Sequence, residues 1–284
     1  MRITIIGGGI GGLTTAIAMR RAGHEVAVYE RAAELREAGA GITLLPNAMR
    51  VLFDLGVGEA IASRGMHLQG AAIRSASGRV LGVTETASLE RHFGAPTIAL
   101  HRADLHAVLI EALPRDVIHL GAACTGVIAE RDGAAVQFAD GTSVQSDLVI
   151  GADGIHSAVR RHLFPSIQPR YSGYTGWRGV TRHAPIATSE TWGRGARFGI
   201  VPIGHGRVYW FATQNAPAGT SRSAEETRAH LLDTFGEWHA PIRDLIASTP
   251  PDAILQNDII DIAPFTTWNR HRVVLLGDAA HPTT

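Results

Sequence analysis

Three short apolar segments, each running into a glycine-bearing turn, constrain the fold of this chain more than any other feature. Residues 3–12 read Ile-Thr-Ile-Ile-Gly-Gly-Gly-Ile-Gly-Gly, residues 147–154 read Asp-Leu-Val-Ile-Gly-Ala-Asp-Gly, and residues 273–278 read Val-Val-Leu-Leu-Gly-Asp. Short β-branched runs that end in glycine predict buried strands followed by tight turns. One such turn indicates a bound dinucleotide, and three in this order indicate a dinucleotide held along its whole length.

The first segment opens a βαβ unit. Gly7, Gly9 and Gly12 have the G-x-G-x-x-G spacing between a predicted strand and a predicted helix, and Glu30 ends the next strand. This pattern places backbone amides at a helix N-terminus against a pyrophosphate and a carboxylate near a ribose hydroxyl. The alternative is a glycine-rich turn with a surface glutamate, and the complete βαβ context favours the nucleotide site.

The other two turns each carry an aspartate. Asp153-Gly154 follows a strand and precedes a helix that we predict over residues 154–163, whereas Asp278 follows Gly277. Taken alone, Asp153 is explained equally well as a helix cap. An aspartate at such a turn can also accept a hydrogen bond from a sugar-like hydroxyl, and the combination of motifs favours a cofactor role for both. A Gly-Asp turn is normally followed by more chain, so we expect the full protein to continue beyond Thr284.

Composition excludes several classes of function. The 26 basic and 26 acidic residues give zero formal charge, which removes the electrostatic argument for nucleic acid or an anionic membrane. No apolar run approaches the ~18 residues of a membrane span. The lone cysteine, Cys124, allows no intrachain disulfide and favours a cytoplasmic protein. No histidine pair or Cys-x-x-Cys has the spacing of a metal site, so we predict no metal.

Together these motifs resemble the group A flavoprotein monooxygenases, the p-hydroxybenzoate hydroxylase superfamily. The resemblance implies an α/β fold: a Rossmann-like FAD-binding domain with an inserted β-sheet substrate domain. We place the FAD-binding domain at residues 1–165, with a hairpin near 67–86 that could join the substrate domain. The substrate domain follows at 166–258, and residues 259–284 return to the FAD-binding domain. Further marks are Gly39-Ala40-Gly41-Ile42, His101-Arg102 and Ala279-Ala280-His281-Pro282.

The resemblance also implies which residues hold FAD. They are Gly7, Gly9, Gly12, Glu30, Arg31, Gly41, Arg102, Val127, Asp153 and Asp278.

Within the superfamily, the chain resembles the branch of salicylate, 3-hydroxybenzoate 6- and urate hydroxylases. Arg197 and Tyr209, twelve residues apart, match the pattern of a substrate-binding arginine and tyrosine, and Pro282 is expected beside the reacting flavin edge. Such an arginine could bind an anionic aromatic and the tyrosine could hydrogen-bond a ring substituent. An exposed arginine and an edge-strand tyrosine without a substrate role are an equally weighted alternative.

The implied activity is NAD(P)H-driven hydroxylation of a small aromatic or heteroaromatic substrate by O₂ through a flavin C4a-hydroperoxide. NADH or NADPH would bind only transiently, since the chain has no second G-x-G-x-x-G fold. The protein would be a monomer or homodimer. Two alternatives stay open: another flavoenzyme of the same fold, such as a halogenase or reductase, and a non-catalytic FAD-binding protein.

Overall fold

The chain forms two units, each built from separate segments of sequence. The computed structural model describes residues 1–35 and 40–283, so Gly39 of the predicted Gly39–Ile42 motif lies outside the described residues. The first unit takes its described residues from Met1–Arg36, His106–Ser172 and Ile260–Thr284. The second takes them from Glu37–Leu105 and Gly173–Ile259.

Helices and strands alternate in the first part of the chain, and strands dominate later. The α-helices are α1 (Ile10–Arg21), α2 (Pro46–Asp54), α3 (Gly58–Arg64), α4 (Ala87–Phe93), α5 (Arg102–Glu111), α6 (Ala158–Leu163), α7 (Ala224–Phe235) and α8 (Ile242–Ser248). The strands are β1 (Arg2–Ile6), β2 (Glu25–Tyr29), β3 (Gly41–Leu44), β4 (Met66–His67), β5 (Gly70–Ser75), β6 (Val80–Glu85), β7 (Ile98–His101), β8 (Ile118–His119), β9 (Cys124–Ala129), β10 (Ala134–Phe138), β11 (Ser143–Ser146), β12 (Leu148–Gly151), β13 (Pro169–Arg182), β14 (Ser189–Gly193), β15 (Ala196–Pro202), β16 (Arg207–Asn215), β17 (Leu255–Ile262), β18 (Asn269–Arg270) and β19 (Val273–Leu275).

A six-stranded sheet organises the first unit. Its order is β18-β19-β12-β1-β2-β8, and every pair is parallel except β18 with β19 at the edge. The three strands predicted from the glycine-ended segments, β1, β12 and β19, are therefore direct neighbours. Since parallel strands share an edge at their carboxyl ends, the three turns that follow them lie at the same edge of the sheet.

Helix α6 begins later than the sequence predicts. The expected helix covered residues 154–163, but the observed helix begins at Ala158. Gly154 has φ of +77°, a left-handed conformation that cannot continue into a helix. Ser157 is the N-cap, and its hydroxyl accepts a hydrogen bond from the Arg160 amide at 2.8 Å. The four residues before the helix thus form a turn of their own.

A seven-stranded sheet with two different faces organises the second unit. Its order is β17-β13-β16-β15-β14-β5-β6, with the hairpin β5–β6 at one edge, where β5 pairs in parallel with β14. One face is covered by α7 and α8. The core between them holds, among others, Trp177, Phe198, Trp210, Leu231 and Phe235, all at most 1% exposed. We call the opposite side of this sheet, which carries Arg197 and Tyr209, its open face; near Val201 and Tyr209 it is covered by Leu68 and Ala99.

Glycines opposite aromatic residues shape this sheet. Gly179 is the cross-strand partner of Trp210, and a Cβ added there would lie 2.5 Å from the indole ring. Gly199 stands likewise opposite Phe211, whose ring would be 2.0 Å from an added Cβ. Each ring therefore lies flat over a neighbouring backbone, because the glycine has no side chain to prevent it.

Residues 40–105 belong to the second unit, whereas the sequence places most of them in the FAD-binding domain. In this segment β3, β7 and β4 form a small antiparallel sheet. Leu68 and Ala99 from the segment pack with Val201 and Ile203 of the second unit in one buried cluster. This apolar packing, which depends on contacts distant in sequence, is the physical reason for the difference.

None of the helices in the described part of the chain has the length and apolar character of a membrane span.

We predict that the lone cysteine reacts slowly with thiol reagents. Burial, followed by the charge of Asp153, raises the pKa of Cys124 from 9.0 to about 11. The thiol therefore stays protonated at pH 8, with roughly 100-fold less thiolate than an unshifted group. Even allowing for the greater nucleophilicity of a more basic thiolate, labelling of the native protein by Ellman's reagent should be about tenfold slower than in denaturant. Equal rates in the two conditions would contradict the burial argument.

Candidate active site

The carboxyl edge of the first unit's sheet is held together by backbone contacts between the three turns. Gly7 has φ of +110°, and a Cβ added to it would lie 2.3 Å from the carbonyl oxygen of Ala152, in the second turn. The Ala152 amide donates to the Ile6 carbonyl at 2.7 Å, and the Leu276 amide donates to the Gly151 carbonyl at 2.9 Å. The turns thus lie against one another, and glycine is needed where they are closest.

The three glycines of the first turn have different roles. A Cβ added at Gly12 would lie 2.0 Å from the Gly7 carbonyl oxygen, so Gly12 allows α1 to pack against its own turn. An added Cβ at Gly9 meets nothing within 4 Å. Gly9 is the N-cap of α1, and no side chain caps the amides of the first turn. Open space in front of uncapped amides at a helix N-terminus fits the pyrophosphate of a dinucleotide.

Glu30 is fixed beside this turn. Its carboxylate accepts hydrogen bonds from the Gly8 amide at 2.7 Å and from the Ala32 amide at 2.9 Å. Each oxygen keeps a further lone pair that a ribose hydroxyl could use. Two further predicted residues of this unit differ in burial: Arg31 is exposed, whereas Val127 is 1% exposed in the core. Any cofactor contact of Val127 would therefore come from its backbone, and its role toward FAD remains a prediction.

Asp153 serves its own helix. Its carboxylate accepts hydrogen bonds from the Ser157 hydroxyl at 2.5 Å, the Ala158 amide at 2.7 Å and the Val159 amide at 3.2 Å. These bonds satisfy amides at the start of α6, which is the capping alternative raised by the sequence. A contribution of Asp153 to cofactor binding remains a prediction. Given these bonds, Asp153 would contribute by fixing the shape of the turn.

Arg160 is a buried residue at the second and third turns that the sequence did not indicate. Its side chain is fully buried, and the guanidinium donates to the carbonyl oxygens of Ala279 at 2.9 Å, Asp278 at 3.3 Å and Ile155. It therefore joins the second turn to the third through main-chain atoms. The signal in the sequence was weak, because Arg160 is one of two adjacent arginines in a short helix and either could be solvated.

The third turn leaves its acidic side chain free for a ligand-facing role. Asp278 is exposed, while its carbonyl is held by Arg160. The ring of His281 is tilted by 35° to that of Trp268, with the ring centroids 4.9 Å apart, and Pro282 next to it in sequence is partly buried. The turn is thus positioned from both sides, and the roles of Asp278 and Pro282 toward FAD remain predictions.

In the second unit, Tyr209 lies among two arginines and a glycine. A Cβ added at Gly41 would lie 2.3 Å from the Tyr209 ring, so the ring covers the Gly41 backbone. Burial raises the pKa of the Tyr209 phenol, and the hydrogen bond and charge of Arg178 and the charge of Arg102 act in the opposite direction. The phenol is therefore protonated at neutral pH and can donate a hydrogen bond. Arg178 was not found from the sequence because its proximity depends on strand register.

Arg197 and Tyr209 lie on neighbouring strands of the same sheet, but they are not cross-strand partners. Arg197 pairs with Thr213, and Tyr209 pairs with Val201. The four-residue offset separates their backbones by roughly 13 Å along the strands. Both side chains project from the open face, since residues two or four apart on a strand share a side. Arg197 is about half exposed and lines a groove of about 460 Å³ with Trp192.

The described part of the chain holds no cluster of three or more His, Cys, Asp or Glu side chains that could bind a metal ion.

Comparison with known proteins agrees with the dinucleotide site that the geometry of the first turn indicates. The family model for the FAD binding domain matches residues 1–284. The chain is 46% identical to aurachin C monooxygenase/isomerase of Stigmatella aurantiaca, over 100% of this chain and 75% of that protein. It is 35% identical to the FAD-dependent urate hydroxylase of Klebsiella pneumoniae, over 100% of this chain and 76% of that protein. The solved structure of Klebsiella pneumoniae HpxO with FAD and uric acid has a TM-score of 0.91 and 34% identity, and the match covers 100% of this chain and 74% of that one.

We predict that Gly9→Val abolishes FAD binding without unfolding the protein. The protein leaves open space at this position, so the added side chain would meet the cofactor and little else. Gly82→Val is the matched control, because Gly82 lies on a strand and its added Cβ also meets nothing within 4 Å. Flavin absorbance and thermal melting of both purified variants would be measured. Normal flavin content in Gly9→Val would refute the assignment of this turn.

We predict that Arg160→Met destabilises the FAD-free protein by about 3 kcal/mol, because buried carbonyls would lose a charged donor. The measurement is the free energy of unfolding in urea. Arg161→Met is the control, since Arg161 is the exposed neighbour and donates to the His156 carbonyl. Equal effects of the two substitutions would show that Arg160 does not hold the turns together.

Proposed function

Since the chain belongs to the FAD binding domain family and is an FAD-dependent monooxygenase, we propose that it hydroxylates a small aromatic or heteroaromatic substrate using O₂ and NAD(P)H. The family, the α/β fold class and FAD as cofactor, all inferred from the three motifs, are confirmed. The substrate class is supported by relatives whose names specify urate and 3-amino-4-hydroxybenzoate as substrates.

The observation that carries this proposal is the open face of the seven-stranded sheet. It bears Tyr209 and Phe211, whose rings are 6.0 Å apart, together with Arg178 and Arg197. Aromatic surfaces with a few convergent polar groups are the usual lining of a small-molecule site. A planar ring could stack on such a face while the arginines and the phenol fix its orientation.

FAD, when bound, supplies the transfer of electrons from NAD(P)H to O₂ and of one oxygen atom to the ring, with the other leaving as water. The protein's own part is to bind and orient. We assign the pyrophosphate to the amides after Gly9, a ribose hydroxyl to Glu30, and further FAD contacts to Gly41, Arg102 and Asp278. Pro282, at the end of the third turn, is assigned to the neighbourhood of the reacting ring.

Substrate orientation falls to Arg197 and Tyr209. The protonated phenol of Tyr209 can donate to a ring oxygen or nitrogen, and the Arg197 guanidinium presents donors in a fixed plane. Correct placement of the ring is where such an enzyme gains rate, since the reacting atoms must approach to ~3–3.5 Å.

The test of the function is NADH and NADPH oxidation by the FAD-loaded protein with a panel that includes the anions urate, salicylate and 3-hydroxybenzoate and uncharged analogues such as 3-hydroxybenzamide. We expect one compound to stimulate oxidation and to gain one oxygen atom, read by product mass. Oxidation of either nucleotide without a hydroxylated product across a broad aromatic panel would favour the halogenase, reductase or non-catalytic alternatives.

We predict that Arg197→Ala raises KM for the active compound about tenfold or uncouples nucleotide oxidation from hydroxylation, while FAD remains bound. The substitution removes a contact that orients the substrate, whereas the turns proposed to bind FAD are unchanged. Arg79→Ala, an exposed arginine at the β5–β6 turn, is the control and should leave all parameters unchanged. Unaltered KM and coupling in Arg197→Ala would remove Arg197 from the substrate site.

A further inference from the structure

The groove beside Arg197 has a defined shape and chemistry. We call it the Trp192 groove; it is lined by Tyr174, Trp192, Arg197, Thr213 and Asn215, with small residues from the β14–β15 hairpin as its remaining wall. Its volume of about 460 Å³ lies within the ~300–1,000 Å³ range of small-molecule sites. Two aromatic side chains and three polar ones line it, which suits a planar ring with hydrogen-bonding substituents.

Trp192 and Arg197 are direct cross-strand partners, so their side chains leave the sheet next to each other. The indole remains about half exposed although it is large and apolar. An exposed indole beside a guanidinium offers a stacking surface whose position is set by strand register. This arrangement belongs to the open face, away from the core beneath α7 and α8.

Glu190 contacts both Trp192 and Arg197. One of its carboxylate oxygens, Oε1, accepts a hydrogen bond from the Trp192 indole Nε1 at 2.8 Å and lies 3.5 Å from a guanidinium nitrogen of Arg197. Glu190 is two residues from Trp192 on β14 and therefore projects from the same side of the sheet. The positive charge of Arg197 thus has a negative partner already in place before any ligand arrives.

We infer that the Trp192 groove selects an uncharged aromatic substrate, and that Glu190 is the residue that sets this specificity. The inference rests on the proposed function, because it names the charge class of the ring to be hydroxylated. A carboxylate or urate-like anion at Arg197 would also face the carboxylate of Glu190, and like charges a few ångströms apart repel. A neutral ring avoids that repulsion, stacks on Trp192, and takes hydrogen bonds from the guanidinium donors that Glu190 leaves unused.

The ion pair between Arg197 and Glu190 contributes little to the stability of the fold. Arg197 and Glu190 are 48% and 33% exposed, and a pair so accessible to water adds little to folding stability. Its effect on a bound ligand is larger, because a ring that fills the groove excludes the water that would otherwise screen the charges. The described residues that line the groove include no carboxylate, so Glu190 is the nearest acidic partner of Arg197.

The test compares two compounds of nearly the same shape, 3-hydroxybenzamide and the anion 3-hydroxybenzoate. Their dissociation constants for the FAD-loaded protein would be measured by isothermal titration calorimetry, without NAD(P)H. We expect the amide to bind at least tenfold more tightly. In Glu190→Gln this preference should fall about tenfold, because the anion gains affinity while the amide does not. Glutamine keeps an acceptor for the Trp192 indole, so the groove should stay intact.

Two controls separate charge from structure. Glu190→Asp keeps the negative charge and should keep the preference for the amide. Glu225→Gln removes the acidic member of another exposed ion pair, with Arg228 at 2.8 Å, and should change neither constant.

Equal binding of amide and anion by the unmodified protein, failure to bind the amide, or an unchanged ratio in Glu190→Gln would each overturn the inference. Failure of the proposed function is a different result: correct binding preferences without a hydroxylated product would leave the charge selectivity in place and remove the hydroxylase activity.

Discussion

The arrangement of the three turns at the carboxyl edge of the first unit's sheet depends on the hydrogen bonds of the Arg160 guanidinium. Burying a cation is costly, and here the two terminal nitrogens of the guanidinium donate to main-chain carbonyls of Ile155, Asp278 and Ala279, while its Nε has no hydrogen-bond partner among the described residues. Those carbonyls belong to segments more than a hundred residues apart. With Asp153 capping the same short helix, one buried side chain fixes both aspartate-bearing turns in position, and a rigid support of this kind is what a cofactor site requires.

In the second unit, the two faces of the seven-stranded sheet differ: one is buried under α7 and α8, and the other is the open face. Alternation along β16 directs Trp210 and Ala212 into the core under α7 and α8, and Tyr209 and Phe211 to the open face. Catalytic diversity in such a fold can then arise on the open face, because substitutions there do not touch the core under α7 and α8. In this chain that face carries the paired charges of Glu190 and Arg197, which distinguish it from a simple anion-binding surface.

Local patterns in the sequence were enough to predict the strands β1, β12 and β19 and the glycine-bearing turns that follow them, but not that the three strands are direct neighbours. They failed where geometry depends on distant partners. The start of α6 was placed four residues early, since the left-handed Gly154 is visible only in the backbone. Arg160 and Glu190 could not be recognised, because burial and strand register decide their roles. The twelve-residue spacing of Arg197 and Tyr209 identified neighbouring strands but not the offset between them.

Rings that lie over glycine backbones, on either face of the seven-stranded sheet, have a consequence for how this sheet can diversify. Tyr209 covers Gly41, Phe211 covers Gly199, and Trp210 covers Gly179, with no space for a methyl group beneath. A larger residue at the glycine is tolerated only after the ring has shrunk or turned, and a smaller ring alone leaves a void. The two positions of each pair are therefore expected to show strong epistasis. Evolutionary change on this sheet would proceed through coupled exchanges, so libraries that vary glycine and ring together should reach specificities that single-site scanning cannot.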